Sequence, residues 1–333
     1  MSATVEPEVS LLEDEDFARD AIRPLLGTAA SHVTPTVTVH RRRDDGRLVV
    51  EYGFDGVASV FAKLYPDRAA GAAAFKIHES LWAQGFGARS PYRVPEPVGY
   101  LEEHGVLLLR AAPGEQLARR RLPGSLDDVR RGARWLATLH ASAVVVDNSE
   151  DAARGMLRLA RRAATATACR PELEGVVRRL LQTLAERYAP GSGSAELAPT
   201  HGRFSAEHVY VSRECVTVVD LDRATLSDPA KDVGELLHRL RWSAGKRGDV
   251  PDAIDEAGDA FVREYLRHSR FALTALEYHW SFSVVWTLLV LASKHRPGKG
   301  WDERSGFLLA ELDAIPRRVA PLLEPAGRRR RAG

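Results

Sequence analysis

His201-Gly202-Arg203-Phe204-Ser205-Ala206-Glu207-His208-Val209 is the stretch on which the reading of this chain turns. Val218-Val219-Asp220-Leu221-Asp222-Arg223 follows, with Asp220 twelve residues after His208. Val209 to Val211 and Val216 to Leu221 have strand-like apolar character. A polar loop therefore runs into a short hairpin, and an acid pair sits at the hairpin's exit. Two imidazoles, a guanidinium and a carboxylate crowd into eight residues of the loop. His201, Glu207 and His208 invite a transition-metal reading, but their spacing fits no standard zinc motif and no cysteine lies nearby.

Outward from that segment the chain falls into two compositional parts. Thr36-Val37-Thr38-Val39-His40 alternates, and Arg47 to Tyr52 follows after Asp44-Asp45-Gly46, a strong hairpin signal. Ser59 to Tyr65 reads as a third strand, ended by Pro66-Asp67. Ala69 to Gln84 has helical spacing and Gly85 closes it. Val94 to Val98 is kept extended by its prolines, and 99–101 and 106–109 read as two more strands. Beyond Pro113-Gly114 the period becomes helical: Val129 to Ala143 behind a Ser125/Asp128 capping box, then Leu157 to Ala168, Glu172 to Tyr188, and most of Pro229 to Leu323. Pro190 to Ser194 is a loop. The expected architecture is α+β and bilobal. It has an N-terminal extension over 1–30, a small β-rich lobe over 31–112, a helical lobe over 113–325 and a basic tail over 326–333. Two lobes place a cleft between them, where small ligands bind.

Composition sets further bounds. A net charge of +2 over 333 residues gives no global field to favour nucleic acid or a membrane surface. The longest apolar run, Phe282 to Ala292, is too short to span a bilayer, and Met1 to Ser10 lacks a secretory pattern. Two cysteines give no disulfide framework, so a reduced cytoplasmic protein is expected. Six lysines leave 41 of the 47 basic residues as arginine, a skew of the kind a GC-rich genome produces.

The order of these features resembles the aminoglycoside phosphotransferase and choline kinase-like family, relatives of the protein kinases, over roughly residues 30–310. The resemblance implies ATP or another nucleoside triphosphate held with magnesium. By that resemblance Lys63 grips the phosphates and Glu79, on the next helix, pairs with it. Leu109 and Ala111, in the connector Leu107 to Gly114, are expected at the adenine edge. Asp228-Pro229 and Asp232 match an element that steadies the helix after the metal strand, and Leu139-His140 matches a structural helix end. Asp220 matches the metal-binding aspartate, with Asp222 as the second acid.

The catalytic loop departs from the pattern of His-Gly-Asp, four residues, then Asn or Gln. Arg203 stands at the aspartate position and His208 at the amide position. A guanidinium stays protonated and cannot act as a general base. Imidazole is a poor magnesium ligand, so magnesium is expected to be held weakly if at all. Three readings stay open. The first is a pseudo-phosphotransferase that still binds nucleotide, acting with a partner protein. The second is an active kinase of a hydroxyl acceptor in which His201, Glu207 or Asp222 replaces the base. The third is a non-enzymatic interaction module. The family includes enzymes acting on small molecules and, in peptide natural-product pathways, on Ser or Thr before a partner lyase eliminates the phosphate. Aminoglycosides need acidic clefts, whereas the acids of the helical lobe (Asp252, Asp255, Glu256, Asp259, Glu264, Glu277) alternate with arginines. Arg41-Arg42-Arg43 reads as a solvated charge run, and Tyr278, Trp280, Phe282 and Trp286 read as core.

Overall fold

Strand β2 (Leu48–Phe54) alternates buried and half-buried residues along its whole length, which is the period a sheet with one covered face requires. It lies between β1 (Thr36–Arg42) and β3 (Val57–Leu64) in the computed structural model. β6 (Val106–Arg110) and β5 (Pro97–Leu101) complete a five-stranded sheet in the order β1-β2-β3-β6-β5, antiparallel throughout. The structure describes residues 11–26, 35–43, 45–122, 124–188, 196–247, 250–294 and 300–323. The Pro190 to Ser194 loop and the basic tail lie outside them.

Two compact units form. The first comprises Met1–Glu115, Ala143–Val145 and Val209–Asp222, and the second comprises Gln116–Ser142, Val146–His208 and Arg223–Gly333. The hairpin 209–222 thus belongs with the sheet, although it lies far along the chain from it. In the first unit one sheet face buries Leu48, Val50, Tyr52, Val60, Ala62 and Leu108 against Leu12, Ala18 and Ile22 of the N-terminal helical turns. Each buried valine, leucine or isoleucine among them contributes about 1.5–3 kcal/mol. The other face meets α1 (Arg68–Leu81), with Ala74 and Phe75 packed near Leu107 and Leu109. Asp67 caps α1 by accepting from the backbone N–H groups of Ala69 and Ala70. Strand β9 (Val209–Val211) pairs antiparallel with β10 (Val216–Val218), and β10 runs parallel to β4 (Tyr92–Arg93). β7 (Glu115–Gln116) follows the connector.

The second unit is helical. Its elements are α2 (Leu126–His140), α3 (Ala152–Cys169), α4 (Glu174–Arg187), α5 (Ala230–Arg247), α6 (Pro251–His268), α7 (Leu276–Ala292) and α8 (Trp301–Leu323). Helix α7 is apolar around most of its circumference because α3, α4, α5 and α8 all pack on it. It is a core helix, and no helix among the described residues is long and apolar enough to cross a membrane. α5 approaches α7 so closely that a Cβ at Gly234 would lie 2.6 Å from the Trp280 nitrogen. A two-stranded ladder, β8 (Ala198–Thr200) with β11 (Thr225–Ser227), brackets the loop region.

The expected capping box at α2 does not form. Ser125 donates its hydroxyl to the Arg121 carbonyl, and Asp128 is taken by Arg120. A nearby guanidinium competes successfully for the carboxylate that would have reached back to the helix start.

Candidate active site

Lys63 lies on β3 between Val49 and Leu107 of the neighbouring strands. Its ammonium donates to Asp220 Oδ1 at 3.0 Å and to Asp222 Oδ1 at 3.2 Å. The Tyr65 hydroxyl donates to Asp222 Oδ1 at 2.7 Å. Burial alone would push the Lys63 ammonium down, but the carboxylates of Asp222 and Asp220 hold it above its usual range. Burial, with Asp222 adding to it, keeps Tyr65 a neutral phenol.

Asp220 reaches this position because the backbone turns sharply after β10. It has φ 69°, the one non-glycine residue in the left-handed region among those described. Aspartate tolerates that region better than most residues, at a cost of order 1 kcal/mol. Buried Val216, Val218 and Leu221 on either side hold the turn in place.

Glu79, expected as the partner of Lys63, is exposed. The buried face of α1 carries Gly71, Ala74, His78 and Leu81, so the residue turned inward is His78. One residue on a helix is a rotation of about 100°, enough to exchange the faces. The Nδ1–H of His78 donates to the Ala74 carbonyl at 2.8 Å. Burial chiefly, with Lys63 adding to it, pushes this ring down to about 4, so it is neutral at pH 7.

At the connector, Leu109 is buried beneath the sheet and the Ala111 N–H donates to the Ser59 carbonyl at 2.8 Å. That amide is therefore used inside the first unit. Arg110 pairs with Glu96 at 3.1 Å.

In the second unit the loop 201–208 is fixed by one buried carboxylate. Asp232 accepts from the backbone N–H of His201 at 2.6 Å and of Gly202 at 2.9 Å. His140 Nε2–H donates to the same group at 3.2 Å, and the Tyr265 hydroxyl donates to His140 Nδ1 at 2.7 Å. Burial would raise the Asp232 carboxyl, but the bonded His140 ring and the neighbouring cations hold it below the ordinary range. At Gly202, φ is 77° and a Cβ would lie 2.0 Å from the Arg223 carbonyl oxygen, so only glycine fits. Phe204 stacks on Trp135 at 5.9 Å beneath the loop.

His208 donates Nδ1–H to the Arg203 carbonyl at 2.9 Å, and its ring stacks on buried His201 at 5.4 Å. The two imidazoles thus brace the loop from within. Glu207 is exposed, and its carbonyl accepts from the Gln116 amide. The Arg203 side chain makes no ion pair with a described residue and lines a cavity with Arg158, Arg162 and Arg239. The structure brings Lys63, Asp220 and Asp222 together; sequence reasoning named Asp232 as structural without its bonds to the loop, and did not single out Tyr65, His78 or this cavity. Tyr65 sits two residues after Lys63 on the same strand face, a signal that alternation alone could have supplied.

A strand lysine held by an acid pair at a β-hairpin exit, in a chain with a sheet region and a larger helical region, defines a protein-kinase-like phosphotransferase fold. Residues 38–277 match the model of the phosphotransferase enzyme family (APH), and the chain belongs to that family. Among solved structures it resembles the choline/ethanolamine kinase family protein from Mesorhizobium loti, at 16% identity and TM-score 0.56 over 96% of this chain and 98% of that one. It also resembles aminoglycoside-3'-phosphotransferase of type VIII, at 22% identity and TM-score 0.55 over 76% of this chain and 93% of that one. A third likeness is to the amicoumacin kinase hAmiN, solved with AMP-PNP, Ca2+ and Ami, at 15% identity and TM-score 0.56 over 91% of this chain and 96% of that one. At these identities the likeness is one of fold. No curated protein sequence gives a significant match.

Proposed function

We propose that this chain is a nucleotide-binding pseudo-phosphotransferase that acts with a partner protein. One observation carries the reading: the cation and acids of the nucleotide half stand together, Lys63 with Asp220 and Asp222, while position 203 holds an arginine. Lys63 supplies the charge that a triphosphate needs, and the acid pair keeps it ionised and oriented. The hard oxygens of Asp220 and Asp222 suit magnesium, whose chemistry is to offset phosphate charge. His208 does not suit it, since it offers nitrogen where the family offers an amide oxygen.

In the loop, Arg203 cannot take a proton from an acceptor hydroxyl. His201 is buried in the bracing stack, and Glu207 faces solvent. The burial of His201 supports a loop without a substitute base.

Calorimetric titration with ATP, with and without magnesium, tests the reading. Binding in both conditions, with negligible turnover, is the expected result. Absence of binding in either condition leaves the interaction-module reading. Rapid phosphorylation of a hydroxyl compound, abolished by Asp220→Ala, establishes an active kinase instead. Hydrolysis gained by Arg203→Asp/His208→Asn identifies the loop as the lesion.

A further inference from the structure

The cavity beside Arg203 has a volume of about 240 Å³ and lies wholly within the second unit. Six cations line it: Arg158 and Arg162 from α3, Lys231 and Arg239 from α5, and Arg203 and Arg223 from the loop segments. Glu235 is the one carboxylate in the lining, and it is committed to Arg239 at 2.8 Å. Glu150, just outside, bonds Arg158 at 2.6 Å and Lys231 at 3.0 Å. Glu150 and Glu235 are thus taken up by Arg158, Lys231 and Arg239. Arg162 and Arg203 have no carboxylate partner among the described residues.

This imbalance costs stability. Arg158 and Arg162 sit four residues apart on one helix face, an arrangement that destabilises a helix by a few tenths of a kcal/mol. Both guanidinium groups are drawn over the ring of Trp286, at 5.6 and 5.4 Å, and Phe282 stacks behind that ring at 6.3 Å. The aromatic wall orients the cations and lowers the local dielectric, which strengthens their pull on an anion.

The adjoining cavity of about 310 Å³ shares Lys231, His279 and Phe282 with this one and carries Glu150, Asp151 and Asp228. Its acids are already used. Asp151 accepts from the Arg154 N–H at 2.8 Å, and Asp228 accepts from the Ala230 N–H at 2.8 Å and faces His279 at 3.6 Å. The cavity beside Arg203 offers no uncommitted carboxylate to a polycation, and the acids of the adjoining one are engaged by backbone N–H groups, Lys231 and His279.

We propose that the Arg158/Arg162/Arg203/Arg239 cavity binds a small organic oxyanion, carrying phosphate or carboxylate groups, that is distinct from the nucleotide. Arg162 and Arg203 are its main contacts. The ligand is the electrostatic opposite of an aminoglycoside. The cavity stands whether or not the nucleotide reading holds, because Lys63, Asp220 and Asp222 take no part in it.

The test uses the full chain at low salt, with citrate and pyrophosphate as probes, read by calorimetry and by tryptophan fluorescence. Either probe is expected to bind; citrate alone marks a carboxylate site, and pyrophosphate alone or both probes mark one that accepts phosphate. Arg162→Glu and Arg203→Glu each weaken binding by about tenfold or more, while Lys63→Ala and the exposed Arg178→Glu leave it unchanged. Circular dichroism verifies that each variant folds. Binding of neither probe, or binding indifferent to both arginine variants, overturns the proposal. Competitive displacement of the probes by ATP overturns the distinction from the nucleotide. Probe binding with no ATP binding sinks the nucleotide reading and leaves the cavity standing.

Discussion

The two functional clusters of this molecule handle charge in opposite ways. Around Lys63 the acids outnumber the cation, with one ammonium bonded to two carboxylates and a phenol completing the shell. Around Arg203 the excess is reversed, with guanidinium groups outnumbering acids. The first cluster is the one proposed above to hold a nucleotide. The second replaces the acid that the family's chemistry requires with a surplus of the opposite sign. On the proposed reading, the Lys63 cluster and the loop around Arg203 are each stabilised inside their own unit, so either could change without the other.

The largest expected effect lies in the clasp under the loop. Asp232→Ala leaves two backbone N–H groups and His140 without their acceptor, in a fully buried position. A loss of about 3–5 kcal/mol is expected in urea denaturation. A loss below about 1 kcal/mol would show that water or another acid replaces the clasp.

Next comes acid sensitivity in the first unit. His78 stays neutral down to about pH 4 in the folded chain, while the unfolded chain takes up a proton near 6.5. Stability is therefore fully present above about 6.5 and is lost as pH falls toward 4, by on the order of 3 kcal/mol. His78→Phe is expected to flatten the profile over that window. An unchanged slope would place the acid sensitivity elsewhere.

Smaller again is the change in nucleotide binding. Lys63→Met is expected to weaken ATP binding by about 10- to 100-fold, without altering citrate binding. Equal loss of both ligands would break the separation of the two clusters. The smallest effect belongs to Glu79→Ala, expected within about 0.5 kcal/mol of the parent in stability and neutral for ATP affinity. A clear loss of ATP affinity would restore Glu79 as the lysine's partner.

Strand alternation and the Asp-Gly turn were enough to read the strands of the sheet, because a two-residue period shows directly which residues share the covered face. Lys63 was legible as a lone cation in an apolar strand, and the acid pair through its resemblance to the family's metal-strand pattern. The phase of α1 was not, since Lys76, His78 and Glu79 are all polar and only the packing of Ala74 and Leu81 decides which faces inward. The role of His208 was hidden for another reason: its bond is to a backbone carbonyl, which has no sequence signature. The cationic cavity was illegible because its residues come from α3, α5 and two loop segments widely separated along the chain. Only the convergence of those helices on α7 brings them together.

The left-handed backbone at Asp220 narrows the alphabet open to that position. Glycine, asparagine and aspartate tolerate such an angle with little strain, and most other side chains do not. Aspartate is thus favoured there twice over, once for its carboxylate and once for its conformational tolerance. A saturation library at 220, scored separately for folding and for ATP retention, would pull those two pressures apart: glycine and asparagine should pass the first screen and fail the second.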